Sequence, residues 1–195
     1  MARVLAAALG AAVAVAAAMP QAVAERAVCP PPGTWIRMSD GRDVLHLGVA
    51  AAPASCRASL SGQTRPNDLV LGLIPPPRGS AAEHARHMAP LLPLREGRRA
   101  DYAILSTGGI LRFHWHVGSA EDILVPAGRF RAWPITLDVS GMAGDTTELR
   151  RTFWIAVENG VLLRVRTSGV NGLADASPDA EAAAISTMPP AADPR

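Results

Sequence analysis

The sequence predicts a mainly β fold, a curved antiparallel sheet or half-barrel with one short helix. Four segments of its second half alternate apolar and polar residues with a period of two. Asp40-Gly41 and Asn159-Gly160 supply hairpin turn signals between strand-like runs. Only the stretch from residue 81 to about 89 carries a helix start signal.

Residues 1–24 read as a cleavable signal peptide. Arg3 precedes the apolar run 5–19, Pro20 stops it, and Ala22-Val23-Ala24 places cleavage before Glu25. The run is too short and too Ala-rich for a membrane span, which needs about 20 strongly apolar residues; an uncleaved anchor is the alternative. Arg26-Ala27-Val28 before Cys29 does not fit a lipoprotein signal. About 170 residues then remain, enough for one domain with its own core. We place a β-rich domain at 25–172 and a disordered tail at 173–195. The tail is Ala, Pro, Asp and Ser with almost no large apolar residue to offset its ordering entropy.

Within the domain, Cys29 and Cys56 are the two cysteines. In an oxidising compartment an even pair reads as a disulfide, with separate thiols or a shared metal as alternatives. The prolines at 30–32 cannot donate ladder hydrogen bonds, so this arm should run extended over the surface. Residues 34–39 and 42–49 flank Asp40-Gly41 as a two-residue type I′ hairpin, which would pair Ile36 with Leu45 and Trp35 with His46. Residues 56–61 and the apolar run 69–74 read as further strands, the second stopped by the prolines at 75–77. Ser80 with Glu83 has capping-box spacing for the helix, and Pro90 and Pro93 break it.

From Tyr102 onward the pattern is sheet. Leu111, Phe113, Trp115 and Val117 alternate with Arg112, His114 and His116. Trp133, Ile135, Leu137 and Val139 form the next odd set, followed by Leu149, Arg151, Phe153, Ile155 and Val157, then Val161, Leu163 and Val165. Such alternation means one packed and one wetter face. At Glu158-Asn159-Gly160 a three-residue loop with Gly160 left-handed keeps the faces consistent. It pairs Val157 with Val161, Phe153 with Val165 and Trp154 with Arg164.

The formal charge of +2 falls to +1 without Arg3, and every basic side chain other than histidine is arginine. No strong field draws the chain to nucleic acid, and no aromatics interleave the arginines. His114 and His116 have chelating spacing, and His84 and His87 lie one helical turn apart. No acid or cysteine completes a metal signature, so no metal site and no cofactor is expected. Ser106, Ser119 and Ser168 lie beside glycines in turn contexts, and no Gly-x-Ser-x-Gly is present, so no catalytic residue is assigned. Glu121-Asp122, or Asp138 with Glu148, could serve glycoside hydrolysis, but a cross-strand pair of Asp138 with Arg150 accounts for that acid more simply. Arg112, His114, His116, Arg150, Arg164 and Arg166 fall on the wetter face and form a candidate anion- or ligand-binding face.

Residues 92–166 resemble an uncharacterised family of exported bacterial β-rich proteins described as domains of unknown function. The matching pieces are Pro93-Leu94-Arg95-Glu96-Gly97, Val125-Pro126-Ala127-Gly128-Arg129-Phe130, Phe153-Trp154-Ile155 and Gly160-Val161-Leu162-Leu163-Arg164. Residues 29–41 are also similar to amino-terminal pieces in some of those proteins. The resemblance implies that the Val-Pro-Ala-Gly-x-Phe segment is a turn between consecutive strands and the last piece a closing hairpin. It also implies a curved sheet like the half-barrels of periplasmic lipid- and lipoprotein-handling proteins, and it carries no catalytic role. The chain departs from the pattern in that the aromatic after Gly97 is delayed to Tyr102.

These readings lead to a periplasmic or secreted, non-enzymatic envelope module that binds a small ligand or an envelope protein on its sheet. The alternatives are an assembly accessory without a small ligand, then a metal-binding protein or hydrolase. No transmembrane span is expected after signal cleavage.

Overall fold

The computed structural model describes residues 29–52, 54–73, 81–106, 109–141, 147–168 and 179–187. The signal segment 1–24 and the Ser80 cap lie outside them. The first half of the chain forms β1 (Trp35–Met38), β2 (Asp43–Val49), β3 (Ser55–Leu60) and β4 (Asn67–Val70), then helix α1 (Ala81–Met88) and a 3-10 turn (Ala89–Leu91). The alternating second half forms β5 (Arg99–Ser106), β6 (Gly109–Val117), β7 (Glu121–Val125), β8 (Gly128–Ser140), β9 (Thr147–Ala156) and β10 (Leu162–Ser168). A last strand, β11, spans Ala180–Ser186.

All these strands join one antiparallel sheet in the order β4-β3-β2-β1-β11-β10-β9-β8-β6-β5, with β7 paired to β8. The terminal strands β4 and β5 are not paired to each other, so the sheet is open. Helix α1 contacts both of them. Its Met88, with Leu91 of the turn that follows, is buried among Val70, Leu71, Ala100 and Tyr102. The amphipathic helix therefore covers the seam of a curved sheet and supplies apolar groups to its interior.

The expected packed face is present. Phe113, Trp115, Ile135, Leu137, Phe153, Ile155 and Val165 belong to one buried cluster. Trp115 stands opposite Leu137, Ile135 opposite Phe153, and Phe153 opposite Val165. Leu163 departs from this set. The register shifts between Leu162 and Arg164, so Leu162 takes the place opposite Ile155. Leu163, like Val161, packs in a second cluster with Ile36, Met38, Ile123, Val125 and Ala182. That cluster forms where the β7–β8 turn comes onto β11, with Ala127 N donating to Ala182 O at 3.0 Å.

Three turn readings need correction. At Asp40-Gly41 only Gly41 is left-handed, at φ 86°. Gly41 N donates to Met38 O, and Met38 N to Arg42 O, which makes a three-residue loop. Ile36 thus faces Val44, and Trp35 faces Leu45. This slip of one residue turns His46 to the packed side. At the β9–β10 turn, Phe153–Val165 and Trp154–Arg164 pair as expected and Gly160 is left-handed. Ala156, and not Val157, bonds Val161, and the extra residue is absorbed by the shift at Leu162. The apolar run at 69–74 is strand only to Val70. Leu71 and Gly72, at φ 51° and 72°, then turn the chain, and burial of the Leu71 side chain compensates its sparse backbone conformation.

The largest correction concerns the tail. Within the segment read as disordered, residues 180–186 form β11, set between β1 and β10 near the middle of the sheet. Ala180 and Ala182 are fully buried there. An Ala-rich strand brings little apolar area of its own, but two neighbouring strands satisfy its backbone, and its small side chains fit under Leu163 and Met38. The β domain therefore extends past residue 172.

The Cys29–Cys56 disulfide is formed, with Cα atoms 5.4 Å apart. It anchors the proline arm over β2, where Gly33 N donates to His46 O. Gly48 allows the approach: a Cβ on this left-handed residue would come within 3.2 Å of Pro32.

Candidate functional site

Where β1–β4 curve toward β9 and β10, the packed side leaves a cavity of about 260 Å³. Most of its lining is apolar: Ile36 and Met38 from β1, Val44 from β2, Leu60 and Leu69 from β3 and β4, and Phe153, Leu162 and Val165 from β9 and β10. Arg42, His46, Ser61, Gln63 and Arg151 are the polar side chains among them.

Arg151 stands on β9 opposite Leu137 and Thr167, two residues from Phe153, and so shares the inward parity of the core. Its Nε is buried and has no hydrogen-bond partner among the described residues. Burial lowers its pKa from the ordinary arginine value, and the like charge of Arg42 lowers it further. A guanidinium nevertheless stays protonated in a protein. Arg42 is in a different state, because its Nε donates to Asp40 Oδ2 at 2.6 Å. Ser61 Oγ accepts from Asp43 N at 3.0 Å, and Gln63 Oε1 accepts from Asn67 Nδ2. Arg151 is thus the lining charge without a counter-ion among the described residues.

His46 is almost fully buried, and its Nδ1 lacks a partner among the described residues. Burial alone lowers its pKa to about 4, so the imidazole is neutral at pH 7. It contributes a polar but uncharged edge beside Gly72, which a Cβ would bring within 3.8 Å of His46 Cε1.

The six side chains expected to form an anion-binding face do share one face of the sheet, opposite the cavity. Register sets His114, Asp138 and Arg150 in one row and His116, Thr136, Thr152 and Arg166 in another. Acids and rings occupy most of them. Arg150 grips Asp138 through two bonds of 2.6 and 2.9 Å, the pair expected from sequence. His114 meets Asp101 at 2.9 Å. Arg166 reaches Asp179 and Glu181. Arg164 lies 2.8 Å from Glu181, stacks over Trp154 and donates to Leu124 O. Arg112 and His116 are exposed on the same strand. This face is a lattice of compensated charges.

The other expected groups are dispersed. His84 and His87 lie over Tyr102, on the side of β5–β6 opposite His114 and His116. Among the described residues, no three His, Cys, Asp or Glu side chains gather in a group that could hold a metal ion. Glu121 accepts from Trp154 Nε1 at 2.5 Å, while its neighbour Asp122 pairs with Arg131. The side chain of Glu148 lies outside the described residues.

Reading from the sequence missed the cavity, Arg151 and His46. One signal was available for Arg151, a charge standing at a core parity position between Leu149 and Phe153. For His46 there was none, because its face depended on a turn one residue longer than Asp-Gly suggests. No family model, no curated protein and no solved structure matches this chain.

Proposed function

We propose that this chain is an exported, non-enzymatic envelope module that holds a small ligand in the cavity between β1–β4 and β9–β10. The observation that carries this reading is Arg151, a half-buried cation whose buried Nε and whose charge find no partner among the described residues, on the wall of a mostly apolar cavity. Taking a charge partly out of water without a partner carries a desolvation cost. A guanidinium without a counter-ion among the described residues, beside an open volume, is placed to pair with an anion that enters it. Ligand pockets combine mostly apolar lining with a few placed polar groups, and the cavity volume is just below their usual range of roughly 300–1,000 Å³.

Export is supported by the signal-like residues 1–24 and by the disulfide, which persists in oxidising compartments. Among the described residues no helix is long and apolar enough to cross a membrane. The resemblance of residues 92–166 to exported bacterial proteins of unknown function points the same way and is part of this proposal. The exposed large apolar side chains Leu47, Val49, Leu105, Ile110 and Leu124 are divided among three separate hairpins, which favours a ligand over an assembly surface.

The test is native mass spectrometry of protein isolated from an envelope fraction without denaturation. A small non-covalent adduct, released on unfolding, is expected. A bare chain mass together with a stoichiometric protein partner would replace this reading with the accessory role.

A further inference from the structure

We infer that the cavity takes a small amphipathic monoanion, a short aliphatic chain ending in a carboxylate that pairs with Arg151. This rests on the reading of the cavity as a ligand site and specifies what enters it. Charge decides first. The lining carries two guanidiniums, Arg42 and Arg151, and Asp40 compensates the first. His46 is neutral, so among the described residues the surplus is one positive charge. A single negative charge balances it, whereas a second charge on the ligand would be left uncompensated there. A carboxylate also matches the guanidinium fork with two parallel bonds.

The remainder of the lining decides the rest of the ligand. Phe153, Val165, Leu162 and Leu69 offer dispersion contacts and no donors, so the part of a ligand that meets them is favoured when it is apolar. An alkyl chain gains by leaving water in proportion to its area. Size sets its length: 260 Å³ corresponds to about nine volumes of roughly 30 Å³, the share of one water in the liquid. A ligand of about ten non-hydrogen atoms, such as octanoate, is of that scale.

The experiment titrates octanoate, octan-1-ol and inorganic phosphate into the folded mature protein, followed by calorimetry and by the arginine Nε–Hε resonances. Octanoate should bind one to one and move the Arg151 resonance. Octan-1-ol should bind about ten-fold more weakly or worse, as expected for loss of a charge-assisted bond, and phosphate should not compete. Arg151→Met should lose the preference for octanoate over the alcohol, and the resonance shift in wild-type protein keeps the test open if that variant does not fold. Equal binding of octanoate and octan-1-ol by the wild type would overturn the monoanion while leaving a ligand cavity in place. Phosphate displacing octanoate from Arg151 would overturn the amphipathic class. Binding of none of the three, with no adduct on the isolated protein, would remove the ligand reading itself.

Discussion

The Tyr102 hydroxyl lies 2.8 Å from His84 Nδ1 and ties helix α1 to the edge strand β5. It also accepts from Trp115 Nε1 at 3.2 Å. The hydroxyl thus bridges the indole N–H of β6 and the imidazole of the helix. Burial raises the Tyr102 pKa to about 12 and lowers that of His84, so both groups are neutral near pH 7.

Tyr102→Phe should therefore cost more than one hydrogen bond. It removes the partner of two buried groups, an indole N–H and an imidazole nitrogen, and each unsatisfied group costs about 1–3 kcal/mol. We expect a loss of about 2–4 kcal/mol in urea unfolding, with faster amide exchange in α1. A stability within experimental error of wild type would show that the helix is held at the seam by Met88 and Leu91 alone.

The parts of the fold that were legible in the sequence are those where alternation is strict and side chains are large. Phe113, Trp115, Ile135, Leu137 and Phe153 announce their face at every second position, and the sheet around them follows. The illegible parts turn on single residues. One extra loop residue before Arg42 moves His46 from the wet side to the cavity. One bulge at Leu162 moves Leu163 to the second cluster. β11 was hidden for a different reason, since alanine has neither strand propensity nor burial area, and the strand exists because β1 and β10 leave a place for it. The cavity joins elements more than a hundred residues apart, and no local pattern encodes that contact.

The parity reading makes a direct comparison possible on β9. Phe153 is fully buried between Ile135 and Val165, so Phe153→Ala should cost about 3–5 kcal/mol. Thr152 faces the other way and has only a 3.5 Å contact with the Thr136 hydroxyl, so Thr152→Ala should cost under about 1 kcal/mol. Chemical denaturation of the two variants checks this, and equal losses would contradict the assigned faces.

Stability should fall in mild acid because of His46. Its pKa drops from 6.5 unfolded to about 4 folded, so the unfolded chain takes up a proton first as pH decreases. Its contribution is intact above pH 6.5 and is lost progressively toward pH 4, on the order of 3 kcal/mol in total. His46→Gln should flatten the melting temperature over that interval relative to wild type. An unchanged slope in the variant would assign the acid sensitivity to the carboxylate pairs instead.

Ending the chain after residue 178 should abolish cooperative folding. Strand β1 pairs with β2 on one side and β11 on the other, and β10 pairs with β9 and β11, so β11 is the hydrogen-bonded link between the β1–β4 section and the remainder. Its loss would strand the backbone of both neighbours, remove the Ala182 acceptor of Ala127, and leave Arg164 and Arg166 without Glu181. A chain ending after Thr187 retains β11 whole and should melt like the chain that runs to Arg195. Circular dichroism melts of the two truncations separate the cases. A sharp, wild-type-like transition in the shorter chain would mean that β1 and β10 hold together without the strand between them, and that residues 180–186 are the dispensable tail their composition suggests.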